Sequence, residues 1–98
     1  MERRRERRIA VELPGTLVAH PRPEQRIWYS QISANGCRIT GAGEGLAVGD
    51  VVEVGLGPVG ASRAAVRWVE PGAIGVQFDE PLHPAIVGYF EAFLVTAA

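Results

Sequence analysis

The 98-residue sequence has no lysine, one cysteine, one methionine and two histidines. Each shortage excludes something. The single thiol, Cys37, cannot close an intramolecular disulfide or build a cysteine-rich zinc site, and it fits a reducing compartment such as the cytoplasm. His20 lies in a proline-rich stretch and His83 just ahead of a helix-like segment. Neither has a carboxylate spaced to orient it, and no nucleophile elbow or P-loop is present, so the constellation that catalysis needs is missing. No apolar run approaches the roughly 20 residues of a membrane span. The charged N-terminus is not followed by the apolar region of a signal peptide. A net charge of −1 leaves no whole-molecule field to draw the chain onto nucleic acid. These exclusions lead to an expectation of one soluble, cytoplasmic domain over residues 1–98. It would be a non-enzyme without a metal or cofactor, with no membrane insertion and no nucleic-acid partner.

What is present is arginine, and it is concentrated. Five of the ten arginines, Arg3, Arg4, Arg5, Arg7 and Arg8, fall in the first eight residues. A guanidinium holds five donors in a planar fork, which suits phosphates, carboxylates and purine edges better than an ammonium does. Residues 1–8 therefore read as a flexible basic arm, hinged to the alternating segment Ile9-Ala-Val11-Glu-Leu13.

That segment places Ile9, Val11 and Leu13 on one face, the pattern of a half-buried strand. Pro14-Gly15 interrupts it, as a bulge or an edge position, before Thr16–Ala19 continues. A second strand is expected over Arg26–Ile32, rich in aromatic and β-branched residues. Asn35-Gly36 marks a turn because both residue types tolerate positive φ. Cys37–Thr40 follows as a third strand, and Val51–Leu56 as a fourth with Val52, Val54 and Leu56 inward. Arg63–Val69 alternates, with Ala64, Val66 and Trp68 inward and Arg63, Ala65 and Arg67 outward. After the turn at Pro71-Gly72, Ile74, Val76 and Phe78 line the last strand. Trp28 and Trp68 read as core or rim residues and Cys37 as a small buried hydrophobe. Pro84 suits the first turn of a helix. Ile86, Tyr89, Phe90, Phe93 and Leu94 then follow the spacing of an apolar helical stripe. Short strands separated by turns predict an antiparallel barrel over residues 9–79, closed by a C-terminal helix over residues 84–95.

An R-x-x-x-R pair before the first strand, an S-x-x-G turn after the second, and late segments reading Ala-Ala-Val-Arg-Trp-Val and Ile-Gly-Val-Gln-Phe together resemble a PilZ domain. The resemblance runs from about Arg3 to the terminal helix. It implies a six-stranded antiparallel β-barrel with one C-terminal α-helix, and binding of the bacterial second messenger cyclic di-GMP. The arginine motif falls on Arg4 and Arg8, with Arg3 and Arg7 at the same spacing one residue earlier. These guanidiniums would grip guanine edges and phosphates, consistent with the preference of arginine for guanine O6 and N7. The family's second motif, D/N-x-S-x-x-G, falls on Gln31-Ile32-Ser33-Ala34-Asn35-Gly36. Ser33 and Gly36 match it. Gln31 departs from it, with an uncharged amide one methylene longer than Asn in place of a carboxylate that could accept from guanine N1 and N2. Arg38 would add a phosphate contact.

Each of these residues also has a purely structural explanation. Ser33 and Asn35 could serve only the turn's hydrogen bonds, Gly36 only a positive φ, and the arginines a solvated arm. Two functions follow from the resemblance. One is a cyclic di-GMP receptor whose arm folds over the ligand and whose altered surface engages a downstream protein. The other is a PilZ-like interaction module that has lost nucleotide binding, for which Gln31 is the best argument. Val87, Ala92 and Val95, partly off the main helical stripe, would supply a homodimer or partner surface.

Overall fold

The computed structural model describes residues 9–42, 45–57 and 60–97, with side chains described from Leu13 onward except Glu91 and those of residues 93–97. Six strands form in chain order: β1 (Ile9–Val18), β2 (Gln25–Ile32), β3 (Gly36–Thr40), β4 (Val51–Gly55), β5 (Ala61–Glu70) and β6 (Ala73–Phe78). One helix, α1 (Pro84–Ala97), ends the chain. Every strand pairing is antiparallel, and the order β1-β2-β3-β6-β5-β4 closes on itself through β1 and β4. Closure gives every strand a neighbour on both sides over at least part of its length, although β1 meets β4 only from Thr16 to Val18.

The expected alternation governs most of the interior. Leu17, Ile27, Ile39, Val52, Val54, Leu56, Ala64, Val66, Ile74, Val76 and Phe78 are buried inside the barrel. Leu82 and Phe90 join the same cluster from the segment after β6 and from α1. Each fully buried aliphatic or aromatic side chain contributes about 1.5–3 kcal/mol. Cys37 is buried as expected. The helix packs on β1, with Phe90 buried and Ile86, Val87 and Tyr89 half-buried against the core. Tyr89 and Phe90 meet edge to face at 5.4 Å. Val87 therefore belongs to the core-facing side, which removes it from the expected dimer surface. Ala92 is exposed, and the side chain of Val95 lies outside the described residues.

Pro14-Gly15 does not interrupt β1. The pairing with β4 begins only at Thr16, so Pro14 sits where β1 has β2 as its single strand neighbour. A residue without an N–H is tolerated there. The irregularity in β1 lies earlier, between Ala10 and Leu13. Gly15 has another purpose. The buried Tyr29 reaches from β2 beneath β1, and its hydroxyl donates to the carbonyl of Gly55 on β4. A Cβ on Gly15 would clash with the hydroxyl-bearing end of the Tyr29 ring. The glycine is the clearance through which an aromatic brace crosses the barrel.

The expectation that Trp68 points inward is overturned, and of the two places expected for the tryptophans, core or rim, the core is excluded for both. Val66 pairs with Val76 but Trp68 with Gly75, so Arg67 is one residue too many and β5 bulges. A bulge reverses the side-chain alternation beyond it. Trp68 is consequently turned to the outer face, 39% exposed, and Trp28 is 49% exposed on the outer face of β2.

Candidate functional site

The S-x-x-G segment becomes the connection between β2 and β3. The amide of Ser33 donates to the carbonyl of Gly36 at 2.9 Å. The hydroxyl of Ser33 accepts from the amides of Asn35 and Gly36, each at 3.3 Å, and is 3.2 Å from the Gly36 carbonyl. A single buried serine thus organises the turn, a local side-chain-to-backbone pattern common for this residue type. The positive φ expected of Asn35-Gly36 is absent: neither residue takes it. Gly36 is required by proximity instead, since a Cβ there would strike the carbonyl oxygen of Val76 on β6.

The outward carbonyls of the same turn tie it to the route into α1. The amide of Phe78 donates to Asn35 at 2.8 Å, and that of Leu82 to Ala34 at 2.7 Å. His83 then caps the helix, its Nδ1 accepting from the amide of Ala85 at 3.0 Å. This is the cap role that a histidine just ahead of a helix suggests, and such caps satisfy otherwise orphaned amides.

Beside the turn, the outer face of β2, β3, β6 and β5 forms a cavity of about 380 Å³. Gln31, Ser33, Gly36 and Arg38 line it, together with Arg67, Trp68 and Gly75. Two bulges aim its walls. In β2, Tyr29 pairs with Ile39 and Gln31 with Arg38, leaving Ser30 as the extra residue and Gln31 exposed on the outer face. In β5, Arg67 is the extra residue and Trp68 is turned outward beside it. Arg38, Gly75 and Trp68 then occupy one rung across three strands. Because Gly75 has no side chain, the indole of Trp68 lies against its backbone.

Arg38 is held in place. Its Nη1 donates to Ser30 Oγ at 2.9 Å, and its Nη2 lies 3.4 Å from Glu70 Oε2. The ion pair is partly exposed, so it contributes at most about 1 kcal/mol, and an anionic ligand would not find it hard to displace. A fork of donors and an aromatic ring on one open rung can hold a phosphate and stack a planar base.

Of the expected site residues, the structure brings Gln31, Ser33, Gly36 and Arg38 together. Ser33 and Gly36 make their described contacts within the turn and its neighbouring strand, while Gln31 and Arg38 face the cavity. Arg3, Arg4, Arg7 and Arg8 lie outside the described residues. The described part of β1 starts beside the cavity: Ile9 pairs with Ile32 and Ala10 with Gln31, and both of these β2 residues line it. Sequence reasoning placed Arg67 outward without assigning it to the site, and it missed Trp68 and Glu70, which the bulge in β5 turns toward the motif. Among the described residues no group of His, Cys, Asp and Glu could hold a metal ion. No described helix is long and apolar enough to cross a membrane.

A family model for the PilZ domain matches residues 2–94, nearly the whole chain. The chain belongs to the PilZ domain family. PilZ domains are generally cyclic di-GMP-binding modules and not enzymes. No curated protein was found to match the chain.

Proposed function

We propose that this protein is a cytoplasmic cyclic di-GMP receptor that converts binding of the nucleotide into contact with a downstream protein. The observation that carries the reading is the rung of Arg38, Gly75 and Trp68 beside the Ser33–Gly36 turn, on the barrel face where β1 begins. Arg38 and Arg67 would meet phosphate oxygens, Trp68 would stack a guanine, and Gln31 would meet a base edge. Arg4 and Arg8, or Arg3 and Arg7 in the alternative register, would supply bidentate contacts to guanine and phosphate from the other side. Ordering an arm over a ligand costs conformational free energy. It also changes the shape and charge of the surface that a partner meets. The bonds from Phe78 and Leu82 to the turn support a route from the site to α1.

The test is calorimetric titration with cyclic di-GMP, with GTP as control. A Kd tighter than about 10 μM, roughly −7 kcal/mol, is expected for the nucleotide alone. Arg4→Ala and Arg8→Ala should each abolish it without changing the melting temperature. Wild-type binding by both variants would remove the arm from the site. Gln31, which replaces a carboxylate or its shorter amide, favours the second reading, a PilZ module that contacts proteins without nucleotide. Absence of any heat at high ligand concentration would establish that reading in place of the first.

A further inference from the structure

The side chain of Gln31 stands on the outer face at the cavity wall, exposed, and none of the described hydrogen bonds or ion pairs uses its amide. It is opposite Arg38 in register, and Arg38 is on the rung of Trp68. A base stacked on the indole would present its edge along the surface toward side chains of this kind. The donor and acceptor pattern at position 31 then decides which base fits.

A carboxylate offers two acceptors. Those match guanine's Watson–Crick edge, where N1–H and N2–H are both donors. A primary amide offers one acceptor and one donor side by side. That pair matches adenine, whose N6 amino group donates while N1 or N7 accepts, and the pairing of glutamine with adenine is a preferred one. Against guanine the amide oxygen can take the N1 proton while its NH₂ group donates to O6, so the same amide serves either purine, whereas a carboxylate matches only guanine. Resting on the receptor reading above, we infer that Gln31 makes this site accept adenine as well as guanine. The ligand class is therefore cyclic dinucleotides with a guanine held by arginine and either purine at Gln31, including the mixed guanine–adenine molecule.

Gln31→Glu tests this with almost no change of shape at an exposed position. Titrations of wild type and variant would use cyclic di-GMP, cyclic GMP–AMP and cyclic di-AMP. A carboxylate also repels the ligand's phosphates, so the ratio of affinities is the readout and not either affinity alone. Wild type is expected to bind cyclic GMP–AMP within about tenfold of cyclic di-GMP. The variant should shift that ratio toward cyclic di-GMP by on the order of tenfold, the size of one bidentate base contact. Wild-type binding of cyclic di-GMP with no detectable binding of the mixed molecule overturns the inference and leaves the receptor reading intact. A ratio unmoved by Gln31→Glu overturns it likewise. Failure of all three nucleotides to bind overturns both.

Discussion

The indole of Trp68 occupies the space that a side chain at position 75 would need. The two residues are paired across β5 and β6, and a Cβ on Gly75 would clash with Nε1 and Cε2 of the indole. The outer-face position of Trp68 therefore depends on a glycine in another strand. Gly75→Ala should push the indole outward and lower stability by about 1 kcal/mol, the low end for overpacking, because a surface ring can move. In a Trp28→Phe background, Trp68 fluorescence and thermal melting would both change. Adding Trp68→Ala should cancel the cost of Gly75→Ala, a coupling that a double-mutant cycle measures directly. Independent, additive effects would mean that the two residues do not touch.

Trp68→Ala alone should leave the barrel folded and weaken cyclic di-GMP binding by about 1–3 kcal/mol, the contribution of one base stacked on an aromatic ring. Arg38→Ala should weaken it by a similar amount, since charge-assisted bonds to phosphate are the strong ones. Glu70→Gln frees Arg38 from a weak, exposed partner and should change stability by less than about 1 kcal/mol. Titration calorimetry checks the first two variants, and denaturant unfolding checks the third. Unaltered affinity in both Trp68→Ala and Arg38→Ala would move the ligand site elsewhere on the barrel.

Gly36→Ala places a methyl against the carbonyl oxygen of Val76, which is backbone and cannot swing aside. The β3–β6 pairing must open locally, so a loss of about 1–3 kcal/mol is expected. Because Asn35 and Ala34 hold Phe78 and Leu82, amide exchange at those two positions should speed up with it. Exchange confined to residues 33–37 would show that the turn and the approach to α1 are uncoupled.

Gly15→Ala is expected to be the more damaging glycine substitution, since the ring it meets is buried and braced. Tyr29 has no open space to enter without breaking its bond to Gly55. Tyr29→Phe should cost about 1 kcal/mol, the net value of one hydrogen bond. Gly15→Ala in that background should still destabilise, because the clash is with the ring and not only with the hydroxyl. Urea unfolding of the three variants gives the order.

Alkaline pH should unfold this barrel early. Burial raises the Cys37 thiol above its ordinary value of 9.0. Burial, reinforced by the nearby Cys37, raises the Tyr29 phenol above 10.0. Both groups keep their protons in the fold after the unfolded chain has released them. Stability is therefore fully present below about pH 9 and falls as pH rises, by at most about 1.4 kcal/mol per pH unit for each group. Denaturant midpoints between about pH 7 and about pH 11 would follow this decline. Cys37→Ala should delay its onset, and an unchanged profile in that variant would mean the thiol has no part in it.

Much of this protein was legible in the order of its residues. Alternation at Val52, Val54 and Leu56 and at Ile74, Val76 and Phe78 marks strands with one buried face, because side chains leave a strand on opposite sides. Pro84 and the stripe through Ile86, Tyr89 and Phe90 mark the helix for the same kind of reason. Ser33 and Gly36 announce a turn, and Gln31 stands out as a departure from the PilZ pattern. All of these are local properties, set by a few consecutive residues.

The tertiary structure decided what depends on distant partners. A bulge exists only relative to the strand it faces, so the reversal that carries Trp68 outward could not be read from Arg63–Val69 alone. The roles of Gly15, Gly36 and Gly75 were hidden for the same reason: each makes room for an atom that belongs to another strand. Positive φ was the natural local explanation for Gly36, and close approach of Val76 proved to be the actual one. Local sequence determines which side chains can share a face, while closure of the barrel determines which of them meet.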